Sequence, residues 1–210
     1  EGVLRPYQER GAGWLAFLGR LGLGACLADD MGLGKTAQLI ATLLADPTGQ
    51  PTLVVCPVSV LGNWQRELLR FAPELRVLVH HGPDRHGDNQ QGFAGRADVH
   101  DVVLTTYSLL ARDLEQLTSV AWGRVVLDEA QQIKNPATAQ AKAVQQLDAL
   151  RRVALTGTPV ENRLSELWSI MHVLNPGLLG SARSFRERFA LPIERDGDPD
   201  ATELLRRVTG

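Results

Sequence analysis

The stretch Asp29-Asp30-Met31-Gly32-Leu33-Gly34-Lys35-Thr36 carries the residue types that phosphate chemistry needs, in a workable order. Gly32 and Gly34 let the backbone curl so that successive N–H groups face phosphate oxygens. Lys35 supplies an ammonium able to reach the β- and γ-phosphates of ATP, and the Thr36 hydroxyl supplies a hard oxygen ligand for Mg2+. An apolar run at 25–28 precedes the loop and an amphipathic segment at 37–44 follows it. The loop therefore lies between a strand and a helix whose N-terminus adds partial positive charge. Where the fuller phosphate-loop signature begins with Gly, this chain has Asp29, so the stretch alone also fits a Gly-rich turn capping a helix. Of 22 basic residues only Lys35, Lys134 and Lys142 are lysines, which marks Lys35 as chosen for its chemistry.

A second group of chemical residues ends the apolar run Val125-Val126-Leu127 with Asp128-Glu129-Ala130-Gln131. Ligands of parallel α/β sheets collect at the carboxyl ends of strands. There Asp128 is suited to hold Mg2+ through its waters, and Glu129 to orient and deprotonate an attacking water. Leu155-Thr156-Gly157-Thr158-Pro159 ends another apolar run; its hydroxyls either relay a hydrogen bond between the nucleotide and a neighbouring surface or simply cap a turn. Near the start, Leu4-Arg5-Pro6-Tyr7-Gln8 is either a helix start with Pro in its first turn or an adenine-reading segment, since a Gln amide can bond adenine bidentately.

The elements that must position these residues are legible in the hydrophobic pattern. Short apolar runs at 25–28, 53–56, 77–79, 102–104, 125–127 and 153–155 mostly lack alternation, as expected of strands buried on both faces. Helical stripes lie between them: Gly11, Trp14, Leu15 and Leu18; Leu61, Trp64, Leu68 and Phe71; Leu164, Leu167, Trp168 and Met171. Strand and helix alternate, which predicts an α/β fold with right-handed crossovers. Segment 81–99 reads as a polar surface loop with room for a short helix, 192–200 as a charged loop, and 201–208 as a short helix.

Composition narrows the classes. The length of 210 residues allows one full core, and 44% hydrophobic with 22% charged residues is ordinary for a globular domain. No apolar run approaches the ~18–20 residues that span a bilayer, so no membrane partner is expected. A net charge of −2 means that any nucleic-acid contact must be local. Cys26 and Cys56, without clustered histidines, read as small buried hydrophobes and not as a disulfide or zinc site. His80, His81, His86, His100 and His172 read as surface or packing residues.

Taken in order, these segments resemble the motif series of superfamily-two helicase-like ATPases of the Swi/Snf type. The residues before the first helix resemble its Q motif. The loop with Asp29 resembles its motif I, Asp included. Leu53 to Leu61 with Asn63-Trp64 resembles motif Ia, and Leu104-Thr105-Thr106-Tyr107 resembles motif Ib. Asp128-Glu129-Ala130-Gln131 with Ile133-Lys134-Asn135 resembles motif II, and Leu155 to Pro159 with Asn162 resembles motif III.

The resemblance implies a three-layer α/β/α, RecA-like phosphate-loop domain with a mostly parallel sheet at 1–180, and an extension at 181–210 leading to a second lobe. It implies catalytic roles for Lys35, Asp128 and Glu129, and ATP contacts from Arg5, Gln8, Gly32, Leu33, Gly34, Lys35 and Thr36. Mg2+ would lie at Thr36 and Asp128. Gln131, Thr156 and Thr158 would couple nucleotide state to DNA grip, and Pro57, Ser59, Thr105, Thr106, Lys134 and Asn135 would face double-stranded DNA. The implied function is a DNA-dependent ATPase that remodels DNA-bound proteins and turns ATP into ADP and phosphate once its second lobe is present, and that is nearly inactive without it. Such a motor works in the cytoplasm, on the nucleoid, or in a nucleus. The competing readings are a nucleotide-regulated protein-binding module and a strand-separating or RNA-acting helicase relative.

Overall fold

The computed structural model describes residues 3–30, 32–83, 85, 90–157 and 164–209. Met31, His86, Thr158, Pro159 and Asn162 lie outside the described residues. All six expected strands are present: β1 (Ala25–Leu27), β2 (Thr52–Cys56), β3 (Val77–Val79), β4 (Val102–Thr106), β5 (Trp122–Leu127) and β6 (Ala149–Leu155). They form one sheet in the order β1-β6-β5-β2-β4-β3, and every pairing is parallel, not merely most of them.

Three helices cover one face: α1 (Pro6–Arg20), α2 (Lys35–Ala45) and α3 (Val58–Phe71). The other face is covered by α4 (Gln90–Asp98), α5 (Tyr107–Arg112), α6 (Leu114–Thr118), α7 (Ala139–Gln146) and α8 (Leu164–Leu174). The sheet is buried on both sides because successive side chains of a strand point opposite ways. Thus Val54 and Cys56 join the core under α2 and α3, while Leu53 and Val55 join the core under α5 and α7. This is why β2, β4 and β5 are buried at every position and each carries a continuous apolar stretch.

Two expectations are corrected. Segment 192–200 is not a loop: α10 (Leu191–Asp196) and the start of α11 (Pro199–Thr209) occupy it, after α9 (Ala182–Phe185) and a π-turn at Arg186–Ala190. Pro192 lies in the first turn of α10, directly after the π-turn, and Gly197 ends that helix in the left-handed region at φ 65°. Trp14 does not face the core but is 40% exposed. Helix α1 packs beside β1, an edge strand, so the sheet covers only part of its stripe. Within 81–99, α4 is anchored by Phe93 and Ala97, both fully buried. The C-terminal extension packs on the domain, since Phe185, Phe189 and Leu205 share a core with Trp168 and Met171.

Candidate nucleotide-binding site

Strand β1 ends at Leu27 and α2 begins at Lys35, so the phosphate loop fills the turn between them. Gly32 and Gly34 have φ of 85° and 75°, a region open to glycine at little cost. No side chain caps the first turn of α2, whose N–H groups thus suit an anion. The Lys35 ammonium folds back over the loop, donating to the Asp29 carbonyl at 2.7 Å and the Asp30 carbonyl at 3.1 Å. Thr36, half-buried, follows in the same turn.

The segment before α1 braces this loop. Gln8 Nε2 donates to the Leu33 carbonyl at 3.1 Å, and the Tyr7 hydroxyl donates to the same oxygen at 3.3 Å. Gln8 Oε1 accepts from the Arg5 N–H at 2.9 Å, while Arg5 itself is exposed. Both ends of the Gln8 amide are therefore engaged by backbone. A Cβ on Gly34 would come within 2.5 Å of Gln8 Nε2 and push that amide off the loop, and the φ of 75° itself favours glycine there. Beside Gln8 opens a cavity of 240 Å³ lined by Leu4, Ala37, Ile40, Ala41, Leu44 and Phe71 among others, an apolar surface suited to a flat ring. Sequence reading missed it, because its walls come from three separate segments.

The acidic pair sits one strand away. β6 lies between β1 and β5, with Leu155 beside Leu27 and Ala154 beside Leu127. At about 5 Å per strand, the loop and the pair face each other across a groove roughly 10 Å wide. Asp128 Oδ1 accepts from the Glu129 N–H at 2.9 Å, and Oδ2 accepts from Trp64 Nε1 at 2.8 Å. The Tyr107 hydroxyl donates to the Asp128 carbonyl at 2.8 Å. Burial pushes the Asp128 carboxyl above the usual carboxylate range, opposed by the Trp64 and Glu129 N–H donors and by the charge of Lys35. Cys56, buried beside it, has its thiol pushed up to about 12 by burial and by the Asp128 charge, which leaves it an inert hydrophobe.

Glu129 has φ 50°, the one non-glycine residue with positive φ among the described residues. Such a conformation costs about 1–3 kcal/mol and concentrates at functional sites. Gln131 Nε2 donates to Glu129 Oε2 at 2.5 Å, and Gln131 Oε1 accepts from the Thr156 hydroxyl at 3.1 Å. Glu129, Gln131 and Thr156 thus form a continuous chain from β5 to β6.

A family model described as the SNF2-related domain matches residues 7–209. The chain belongs to the SNF2-related family. YwqA of Bacillus subtilis, named as a candidate ATP-dependent helicase/translocase, is 54% identical over an alignment of 213 positions that covers 99% of this chain and 23% of YwqA. The chromatin-remodeling ATPase INO80 of Homo sapiens is 38% identical over 204 residues, 92% of this chain and 13% of INO80. The solved SWI2/SNF2 ATPase core of Sulfolobus solfataricus in complex with dsDNA matches with a TM-score of 0.89 at 49% identity, covering 99% of this chain and 43% of that one. This SNF2 domain therefore spans less than half of that core and less than a quarter of YwqA. The likenesses fit the N-terminal, RecA-like ATPase lobe of the family.

The residues expected to face DNA divide into two groups in this SNF2 domain. Pro57 and Ser59 open α3 at the end of β2, with Ser59 exposed. Lys134 and Asn135 are also exposed, although Lys134 Nζ is paired with Glu166 at 3.3 Å. The other two turn inward. Thr105 is fully buried, donating its hydroxyl to the His80 carbonyl at 3.2 Å, and Thr106, 5% exposed, accepts from the Leu109 N–H as the cap of α5. Their hydroxyls hold local structure and do not reach the surface. Two residues assigned no site role from the sequence touch the site: Trp64, read there only as core and as part of the motif Ia resemblance, on Asp128, and Gln38, whose Nε2 donates to Asp29 Oδ2 at 2.9 Å. A buried indole N–H must find an acceptor, and that was the signal available for Trp64.

Proposed function

We propose that this chain is the ATP-binding half of a DNA-dependent ATPase that moves on duplex DNA, remodels protein–DNA complexes, and acts with a second RecA-like lobe. Lys35 leaves the Asp29 and Asp30 carbonyls to hold the β- and γ-phosphates, while the N–H groups of the loop and the first turn of α2 surround them. The adenine lies in the apolar cavity beside Gln8, and Gln8 with Tyr7 keeps the loop at its mouth.

The donor set at Thr36 and Asp128 fits Mg2+. Both offer hard oxygens, and each Asp128 oxygen accepts one N–H among the described residues, which leaves lone pairs for a metal or its waters. The ion, when bound, neutralises charge on the phosphate oxygens. Glu129 orients the attacking water and takes its proton. Gln131 and Thr156 tie the orientation of Glu129 to the end of β6, where the motif III segment begins.

The exposed end of α3 at Pro57 and Ser59, together with Lys134 and Asn135, rests on DNA phosphates. Such contacts position the domain without reading sequence. A second lobe supplies the arginine that, in comparable enzymes, contributes roughly 10³–10⁵ in rate, so the isolated lobe hydrolyses ATP very slowly.

The observation that carries this reading is the unbroken chain Glu129–Gln131–Thr156 facing Lys35 across β6. A titration of duplex binding against salt tests the DNA side. A logarithmic slope of about −0.9 per neutralised phosphate supports the reading, and binding without salt dependence argues for a nucleotide-regulated protein-binding module.

A further inference from the structure

Trp64 is 1% exposed, yet its indole N–H does not end in the core: it donates to Asp128 Oδ2 at 2.8 Å, the one side-chain donor to that carboxylate among the described residues. The other N–H on Asp128 comes from its own neighbour, Glu129. Oδ2 is therefore held by a different element, α3, whose exposed first residues, Val58 and Ser59, lie at the surface assigned above to DNA. Trp64 sits six residues into that helix, so a helix moving as a rigid rod carries the indole with it. A hydrogen bond at 2.8 Å weakens steeply over a few tenths of an ångström or a modest tilt. A shift of α3 that leaves its packing intact thus still changes how firmly Asp128 is held.

We propose that Trp64 is a positioning residue that carries the state of the α3 N-terminus to the Asp128 carboxylate, a route from the DNA surface to the metal site separate from Gln131 and Thr156. It rests on the function proposed above. The two routes reach different carboxylates: Gln131 bonds Glu129, and Trp64 bonds Asp128. They also start from different elements, β6 and α3. Groups that orient a metal ligand from behind typically affect metal affinity or activity about 10–100-fold when removed.

The test uses the complete polypeptide that carries this domain, as wild type and Trp64→Phe, which keeps an aromatic ring and removes the N–H. The wild type, Trp64→Phe and a protein with 3-benzothienylalanine at position 64, which preserves the indole outline without a donor, are compared in three measurements. These are ADP affinity with and without Mg2+, duplex affinity, and the ratio of ATPase rates with and without duplex. The proposal expects the Mg2+-dependent gain in ADP affinity to fall about tenfold, Mg2+-free ADP affinity and duplex affinity to stay unchanged, and stimulation by duplex to drop several-fold. An unchanged Mg2+ gain, or unchanged stimulation, in either folded variant overturns it. If the wild type itself shows no stimulation by duplex, the DNA-dependent reading fails first, and the result is told apart from failure of Trp64 alone.

Discussion

Gln38 on α2 donates its amide N–H to the carboxylate of Asp29, on the far side of the phosphate loop, across 2.9 Å. Gln38 is fully buried, and its Oε1, without a hydrogen-bond partner among the described residues, lies where a Cβ on Gly11 would stand only 1.9 Å away. Helix α1, the loop and α2 therefore meet at one point. Asp29 stands where other phosphate loops have glycine, and Gln38 gives that carboxylate a fixed partner and so fixes the first half of the loop. Gly11→Ala is expected to destabilise the domain by about 1–3 kcal/mol, read as a lower thermal midpoint, because the neighbour is a buried amide in a packed core. Gln38→Leu removes the donor to Asp29 and is expected to weaken ATP binding by about 1–3 kcal/mol, measured by calorimetric titration.

Gln131 joins Glu129 to Thr156, so Gln131→Ala cuts the chain without touching the phosphate loop. ATP affinity is expected to stay close to wild type while the coupling between duplex and ATPase rate falls by about 1–3 kcal/mol. Paired ATPase assays with and without duplex DNA check it. Unchanged stimulation counts against a coupling role.

Lys134 is held by Glu166 at 3.3 Å on an exposed surface, so a DNA phosphate must compete with that carboxylate. Exposed pairs of this kind contribute about 0.2–1 kcal/mol. Glu166→Gln is expected to tighten duplex binding a few-fold, and Lys134→Gln to weaken it and make the salt slope shallower by about 0.9. Fluorescence anisotropy over a salt series distinguishes these outcomes from no role for Lys134.

His80 is fully buried, with Nε2 bonded to Asp113 at 2.9 Å, and Arg85 donates to the same carboxylate at 3.0 Å. Burial holds the His80 imidazole below its ordinary value of 6.5, aided by the charges of Arg85 and Arg96 and opposed by Asp113. The unfolded chain then binds a proton that the folded one refuses. The stabilisation is complete above pH 6.5 and is lost as the pH falls through the lowered folded value. Stability, read from thermal midpoints, is expected to fall on acidification from pH 6.5 to the lowered folded value and then level off, with a slope of no more than about 1.4 kcal/mol per pH unit for one proton. His80→Gln keeps a donor for Asp113 and removes the titration, so its profile is flatter over the same range.

Much of the fold was legible because parallel strands buried on both faces leave unbroken apolar runs, and all six runs became strands. Trp14 misled because an apolar stripe shows which face of a helix is greasy, not whether a neighbour exists to cover it. Residues 192–200 misled because proline and glycine signal both loops and helix ends, and only the positions of Pro192 and Gly197 relative to a helix decide between them. In the candidate site, Asp128, Glu129, Gln131 and Thr156 stand out by residue type just after strand ends, and Lys35 by its place in a Gly-rich turn before a helix. Thr105 and Thr106 share that signature, yet their hydroxyls turn inward, since the face a strand-end side chain takes depends on packing that spacing does not encode. Trp64 and Gln38 were hidden because each sits on a helix face that reads as core.

The most direct measurement is ATP hydrolysis by the complete polypeptide with and without duplex DNA, beside Glu129→Gln. The proposed function predicts turnover stimulated by duplex in the wild type, and retained ATP binding with hydrolysis abolished in Glu129→Gln. Hydrolysis indifferent to duplex, or a Glu129→Gln protein that turns over at the wild-type rate, contradicts it.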